Sequence, residues 1–192
     1  MLRSLALVLA LLFTGMIAAR AEDTAQQAFE KDAQAAIKEL ASSLKSSLMA
    51  AMNEGGPAEA VSVCHLIAPT LAAEISKKYG LEIRRTSLKV RNPANEADAW
   101  ETDVLQRFET RLASGEAIQK LTFKEKVDSE SGSQWRMMKA IPTDKVCLSC
   151  HGKKIAEPVQ ARIDTHYPDD MATGFKLGDI RGAFTVSRDI IE

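Results

Sequence analysis

Residues 118–141, IQKLTFKEKVDSESGSQWRMMKAI, decide the fold class. Two β-type runs, 118–127 and 134–141, flank Asp128-Ser129-Glu130-Ser131-Gly132-Ser133, a cluster of turn formers that reads as a hairpin. Working outward, a last strand fits 180–186, after turns at Gly174 and Gly178. On the N-terminal side the period lengthens. Trp100, Val104, Leu105, Phe108 and Leu112 recur at helical spacing within 98–113. Residues 88–97, which contain Asn92-Pro93-Ala94-Asn95, read as an irregular loop, and the alternation in 81–85 reads as a strand.

Two helices are expected before that strand. In 24–53, Phe29, Ala33, Ile37, Leu40, Leu44, Leu48 and Met52 form one apolar stripe, and Gly55-Gly56-Pro57 ends it. In 58–79 the stripe is Val61, Cys64, Ala68, Leu71, Ile75 and Tyr79, with Gly80 as the C-cap. Pro69 removes a backbone donor there, so a kink is expected in the turn that carries Cys64. Helices followed by an antiparallel sheet make the class α+β. No internal repeat or low-complexity linker divides the chain, so residues 22–192 are expected to form one domain.

Composition agrees. The 192 residues are 45% hydrophobic and 27% charged, a globular balance. Lys and Arg total 25 against 26 for Asp and Glu, a net charge of −1 that argues against general nucleic-acid binding. Arg3, the apolar run 5–13 and Ala19-Arg20-Ala21 have the layout of a secretory signal peptide. Residues 1–21 are therefore expected to be cleaved after Ala21, leaving a periplasmic or otherwise exported chain with no further span.

Cys147-Leu148-Ser149-Cys150-His151 carries the chemistry. The C-x-x-C-H spacing marks covalent attachment of a c-type haem: two thiols reach one edge of the macrocycle, and the following His becomes the proximal iron ligand. A thioredoxin-like site would sit in a βαβ pattern, a zinc site would need two more ligands, and a disulfide leaves the adjacent His unexplained. One motif implies one haem. For the sixth iron position the pattern leaves Cys64, His65, His166, Met52, Met137, Met138 and Met171 open. Strand packing is the plainer role for Met137 and Met138, and an exposed loop is the plainer setting for His166. Cys64 is the leftover thiol. Among Arg84, Arg85, Lys89 and Arg91, a solvated strand and loop competes with bidentate binding of a haem propionate, for which Lys89 and Arg91 are the choices.

The chain resembles a family of exported single-haem c-type domains with a PAS-like fold, a domain family of unknown function. The resemblance lies in Val63-Cys64 with Ala68-Pro69, and in Arg85-Thr86-Ser87-Leu88-Lys89-Val90-Arg91-Asn92-Pro93-Ala94-Asn95. It continues through Asp98, Trp100 and Glu101, the haem motif with Gly152, Tyr167-Pro168-Asp169-Asp170, and Gly178-Asp179-Ile180-Arg181-Gly182-Ala183. It implies a haem held between the N-terminal helices and an antiparallel sheet, with iron ligated by His151 and Cys64 and with His65 as the alternative to Cys64.

Three functions are then in play. The first is a sensor of potential or of a small gas (NO, CO or O₂). The second is a periplasmic electron-transfer cytochrome, and the third a haem enzyme. Six-coordinate iron and the lack of an acid–base constellation argue against the enzyme, so none is expected. A redox or signalling partner protein is expected for either remaining role.

Overall fold

The computed structural model describes residues 2–130 and 132–190, with backbone alone at 2–19 and 21. The expected leader, 1–21, therefore lies, apart from Arg20, outside the residues whose side chains are described. Helix α1 runs Leu2–Ser62, a five-residue π-helix covers Val63–Ile67, and α2 spans Ala68–Tyr79. Strand β1 (Glu82–Thr86) leads through an irregular loop to α3 (Ala99–Ala113), and β2 (Thr122–Ser129) and β3 (Gly132–Pro142) form the hairpin. Two short helices follow, α4 (Leu148–His151) and α5 (Glu157–His166), before β4 (Ile180–Asp189). The four strands form one antiparallel sheet in the order β1-β4-β3-β2.

The α+β class and the hairpin are as expected. Helices cover both faces of the sheet. Phe29, Ala33, Ile37 and Leu40 of α1, with Ile75 of α2, pack against Ile83, Trp135, Met137, Phe184 and Val186 on one face. Val104, Leu105 and Phe108 of α3 pack against Met138, Ala140 and Ala183 on the other. That is why β3 carries two adjacent methionines. Met137 and Met138 point to opposite faces, and both faces are core. Strand packing, not iron, accounts for both.

Two boundaries differ from expectation, and one holds. Gly55-Gly56-Pro57 ends the first helical stretch as expected: Gly56 leaves helical geometry with a positive φ of 74°, the axis kinks, and Pro57 starts the next stretch, where its missing donor costs nothing. The first β run begins at Thr122, because Ile118–Lys120 form a 3₁₀ turn that buries Ile118. The kink expected near Cys64 takes the form of the π-helix. The N–H of Ala68 reaches back five residues to the carbonyl of Val63, and Pro69 opens α2.

The helical stretch Glu22–Tyr79 is long and apolar enough to cross a membrane by length and composition alone, whereas no such stretch was expected beyond residue 21. Its apolar residues are divided between core (Val61, Val63, Ala68) and surface (Leu66, Ile67).

A third cluster fixes the end of the molecule that carries Cys64. Val61 packs with Val159, Ile163 and Tyr167, and Ala58, Cys150 and Ile155 lean on that group. Helix α5, absent from the sequence reading, therefore bridges the end of α1 to the haem motif. At the other edge, Gly182 has φ 157°, and a Cβ there would lie 2.3 Å from the carbonyl oxygen of Thr86 on the paired strand. Gly182→Ala should destabilise the fold by about 1–3 kcal/mol. A lowered urea midpoint with an unchanged slope is the expected reading.

Candidate functional site

The motif sits where a 3₁₀ turn, Lys145–Cys147, becomes α4. The two cysteines are three apart on a helical turn, so their side chains share one side. Both thiols are half-buried and unpaired, and burial pushes both up from the usual thiol range. Cys150 Sγ lies 3.9 Å from the carbonyl of Pro57, just past the kink in α1.

His151 is oriented from behind. Its Nδ1 is 2.7 Å from the carbonyl oxygen of Ala172. A carbonyl only accepts, so Nδ1 carries the proton and Nε2 keeps its lone pair, the arrangement a metal-binding imidazole requires. Burial, reinforced by the nearby cations Arg181 and Arg91, holds the imidazole neutral by pushing its pKa well below the usual value. The Phe175 ring stands edge-on to His151, with centroids 6.2 Å apart.

The Ala172 carbonyl is itself held by a buried ion pair. Arg91 donates from Nε to Asp170 Oδ1 at 3.0 Å and from Nη2 to Oδ2 at 2.8 Å. The same Nη2 donates to the carbonyl of Cys150 at 2.7 Å, and Asp170 Oδ1 accepts from the N–H of Ala172 at 2.8 Å. Both side chains are under a tenth exposed. The pair thus ties the motif backbone to the loop that orients His151. It also engages most of Arg91: Nε and both Nη2 protons are committed, which leaves the Nη1 protons for a propionate. Lys89 lies at the rim, its Nζ 3.5 Å from the Thr173 carbonyl and 5.2 Å from the centre of the Phe175 ring.

Across from the motif, the π-helix carries Cys64 and His65, both half-buried. Cys64 follows Val61, which packs with Tyr167 in the cluster that Cys150 also joins, so its turn borders the motif. Burial, then Cys64, pushes Tyr167 up to about 12. The ring of His65 stacks on that of His166 at 4.7 Å, with 24° between planes, and meets the Tyr167 edge at 5.5 Å. His166 is therefore no exposed loop residue: it closes α5, half-buried, and its Nε2 is buried without a hydrogen-bond partner. Of the other sixth-ligand candidates, Met52 is half-buried on α1 and Met171 is 68% exposed.

Arg181 was quoted in the sequence only for resemblance, yet it belongs to the site. Its Nη1 reaches Ser87 Oγ at 3.2 Å and the Lys89 carbonyl at 3.4 Å, while its buried Nε has no partner. Burial, then Arg91 and Arg85, push it down to about 10. An arginine set between Ile180 and the apolar run from Ala183 in this strand was the available signal. Asp98 and Glu101, by contrast, are structural. They form the capping box of α3, and Glu101, buried, pairs with Arg84 at 2.7 Å and Arg136 at 3.1 Å.

Half-buried unpaired thiols, a pre-oriented neutral imidazole and orphaned buried nitrogens on one wall are a donor set suited to a haem. The sequence profile of the Tll0287-like family (Tll0287) matches residues 16–188. The crystal structure of the cyanobacterial heme-protein Tll0287 matches with 29% identity and a TM-score of 0.53, covering 66% of this chain and 71% of that one. No curated protein matches.

Asp170→Asn should cost about 3–5 kcal/mol, because it strands a buried Arg91 charge. In the same denaturation assay, Asp103→Asn, which removes an exposed partner of Arg107, should change stability by less than about 1 kcal/mol.

Proposed function

The chain belongs to the Tll0287-like family, and on that premise we propose that it is an exported monohaem c-type protein acting as a redox or small-gas sensor. The observation that carries this reading is the pairing of C-x-x-C-H at 147–151 with His151 already held through Nδ1 by Ala172. Cys147 and Cys150 are the covalent attachment points in this reading. His151 Nε2 and the Cys64 thiolate would hold the iron. A bound haem supplies one-electron redox chemistry and, if a ligand is displaced, a site for a diatomic gas.

What the chain's own residues do follows from their setting. Asp170 and Arg91 fix the loop behind His151, so that ligand is stationary. Cys64 belongs to a π-helix between the Gly56 kink and Pro69, with Leu66 and Ile67 exposed beside it. π-turns are costly departures from helical geometry and concentrate at functional sites. The two ligands thus differ in how they are anchored, and this favours sensing over plain electron transfer, where both ligands stay in place. His65 is already stacked between His166 and Tyr167, which supports Cys64 over its neighbour as the ligand.

Two outcomes test the reading. Chain from cells competent in cytochrome c maturation should retain its haem through acidic acetone extraction; haem-free chain from such cells would remove the proposal. Cys64→Ala should change the oxidised absorption and electron-spin spectra with haem still attached, and His65→Ala should change them little. The reverse pattern would make His65 the ligand. The thiolate also predicts a reduction potential well below that of Met/His carriers, with CO uptake on reduction. A high potential without CO uptake would instead mark an electron carrier.

A further inference from the structure

The basic residues around the site are not equally occupied. Arg84 holds Glu101, and Arg91 holds Asp170. Arg85, on β1, makes no ion pair among the described residues. It lines a cleft of about 210 Å³ together with Asn92 and Asn95, over a floor of Leu40, Ala68 and Ala72. Arg181 reaches two neutral oxygens and lies over the Phe175 ring, 5.2 Å from its centre, and among the described residues its buried Nε has no hydrogen-bond partner. Near His151, three arginines (85, 91 and 181) thus face one carboxylate, Asp170, and two positive charges stand uncompensated.

Arg85 and Arg181 are half-buried, and a partly desolvated cation without a counter-charge is costly, so the cluster favours an anionic occupant. We propose that Arg85 and Arg181 receive the two carboxylates of the haem, a carboxylate site built by β1 and β4 and distinct from Arg91 and Lys89. This rests on the haem reading above. The arithmetic matches: two propionates balance two unpaired guanidiniums. The lining matches too: Ala68 and Ala72, four and eight positions after Cys64, line the cleft beside Arg85. The amides of Asn92 and Asn95 at the mouth add neutral polar groups to the guanidinium. The lowered pKa of Arg181 is what a charge awaiting its partner should show.

The test compares haem with its dimethyl ester, in which both carboxylates are capped. Both are titrated into the Cys147→Ser/Cys150→Ser chain, where covalent attachment cannot mask affinity. The ester should bind at least about tenfold more weakly than haem, and adding Arg85→Gln and Arg181→Gln should erase the difference. Equal binding of haem and ester overturns this assignment alone, as does a preference that survives both glutamines. A chain that binds neither overturns the haem reading with it. If free succinate raises the melting temperature of the haem-free chain and the two glutamines abolish that effect while the haem preference stays, the cleft serves a free carboxylate and the assignment falls. A second measurement uses the matured chain with its thiols intact. There Arg85→Gln/Arg181→Gln should keep the haem and lower its reduction potential, since nearby cations favour the electron-rich form. An unchanged potential overturns the proposal.

Discussion

The ion pair between Arg91 and Asp170 is the constraint on which the site depends. Arg91 comes from the loop after β1 and Asp170 from the loop before β4, segments 79 residues apart in sequence. Their pairing is buried on both sides, so neither charge can relax into water. From that pair, one bond reaches the Cys150 carbonyl inside the motif. Another reaches the N–H of Ala172, whose own carbonyl sets His151. The loop is further stitched to the motif by the N–H groups of Gly174 and Phe175, which donate to the carbonyls of Gly152 and His151. A short, solvent-facing turn such as α4 could not hold a ring in one orientation unaided. Its rigidity is borrowed from a charge pair that has nowhere else to go.

The sheet contributes differently. With both faces covered by helices, its centre is committed to core packing, and functional side chains are pushed to its rim. Arg85 lies near the end of β1 and Arg181 near the start of β4, and these ends are adjacent because Thr86 pairs with Ala183. Antiparallel pairing thus brings together two cations that are 96 positions apart in the chain. The Gly182 close approach has the same origin, since no side chain fits where β4 passes so near the Thr86 carbonyl.

The two proposed iron ligands come from elements of opposite character. His151 is anchored by hydrogen bonds to a loop that is itself tied down. Cys64 rides on a π-helix whose wide turn is held by packing of Val61 and Val63 on one side and is open at Leu66 and Ile67 on the other. Packing is short-ranged and tolerates small shifts of a helix, whereas a buried ion pair does not. That asymmetry is a property of the fold, independent of what the iron does.

The sequence alone determined the hairpin and carries the proposed class of chemistry, because both are written in local spacing. C-x-x-C-H needs only adjacent residues, and Ser129 to Gly132 turns the chain without help from elsewhere. The apolar stripe through Phe29, Ala33, Ile37 and Leu40 was legible for the same reason, since a helix repeats every 3.6 residues whatever it packs against. The end of that helix was legible too, because Gly56 is a stop signal locally and the helical backbone breaks there. Helix α5 was not legible, and neither was the pairing of Arg91. A basic residue in a loop looks like a ligand for an outside anion until Asp170, far along the chain, is found already holding it. His166 was misread likewise, because a histidine before Tyr-Pro looks exposed until His65 stacks on it. Tertiary structure decided which charges found partners within the chain and which were left over. That depends on distances between remote segments, which local spacing does not encode.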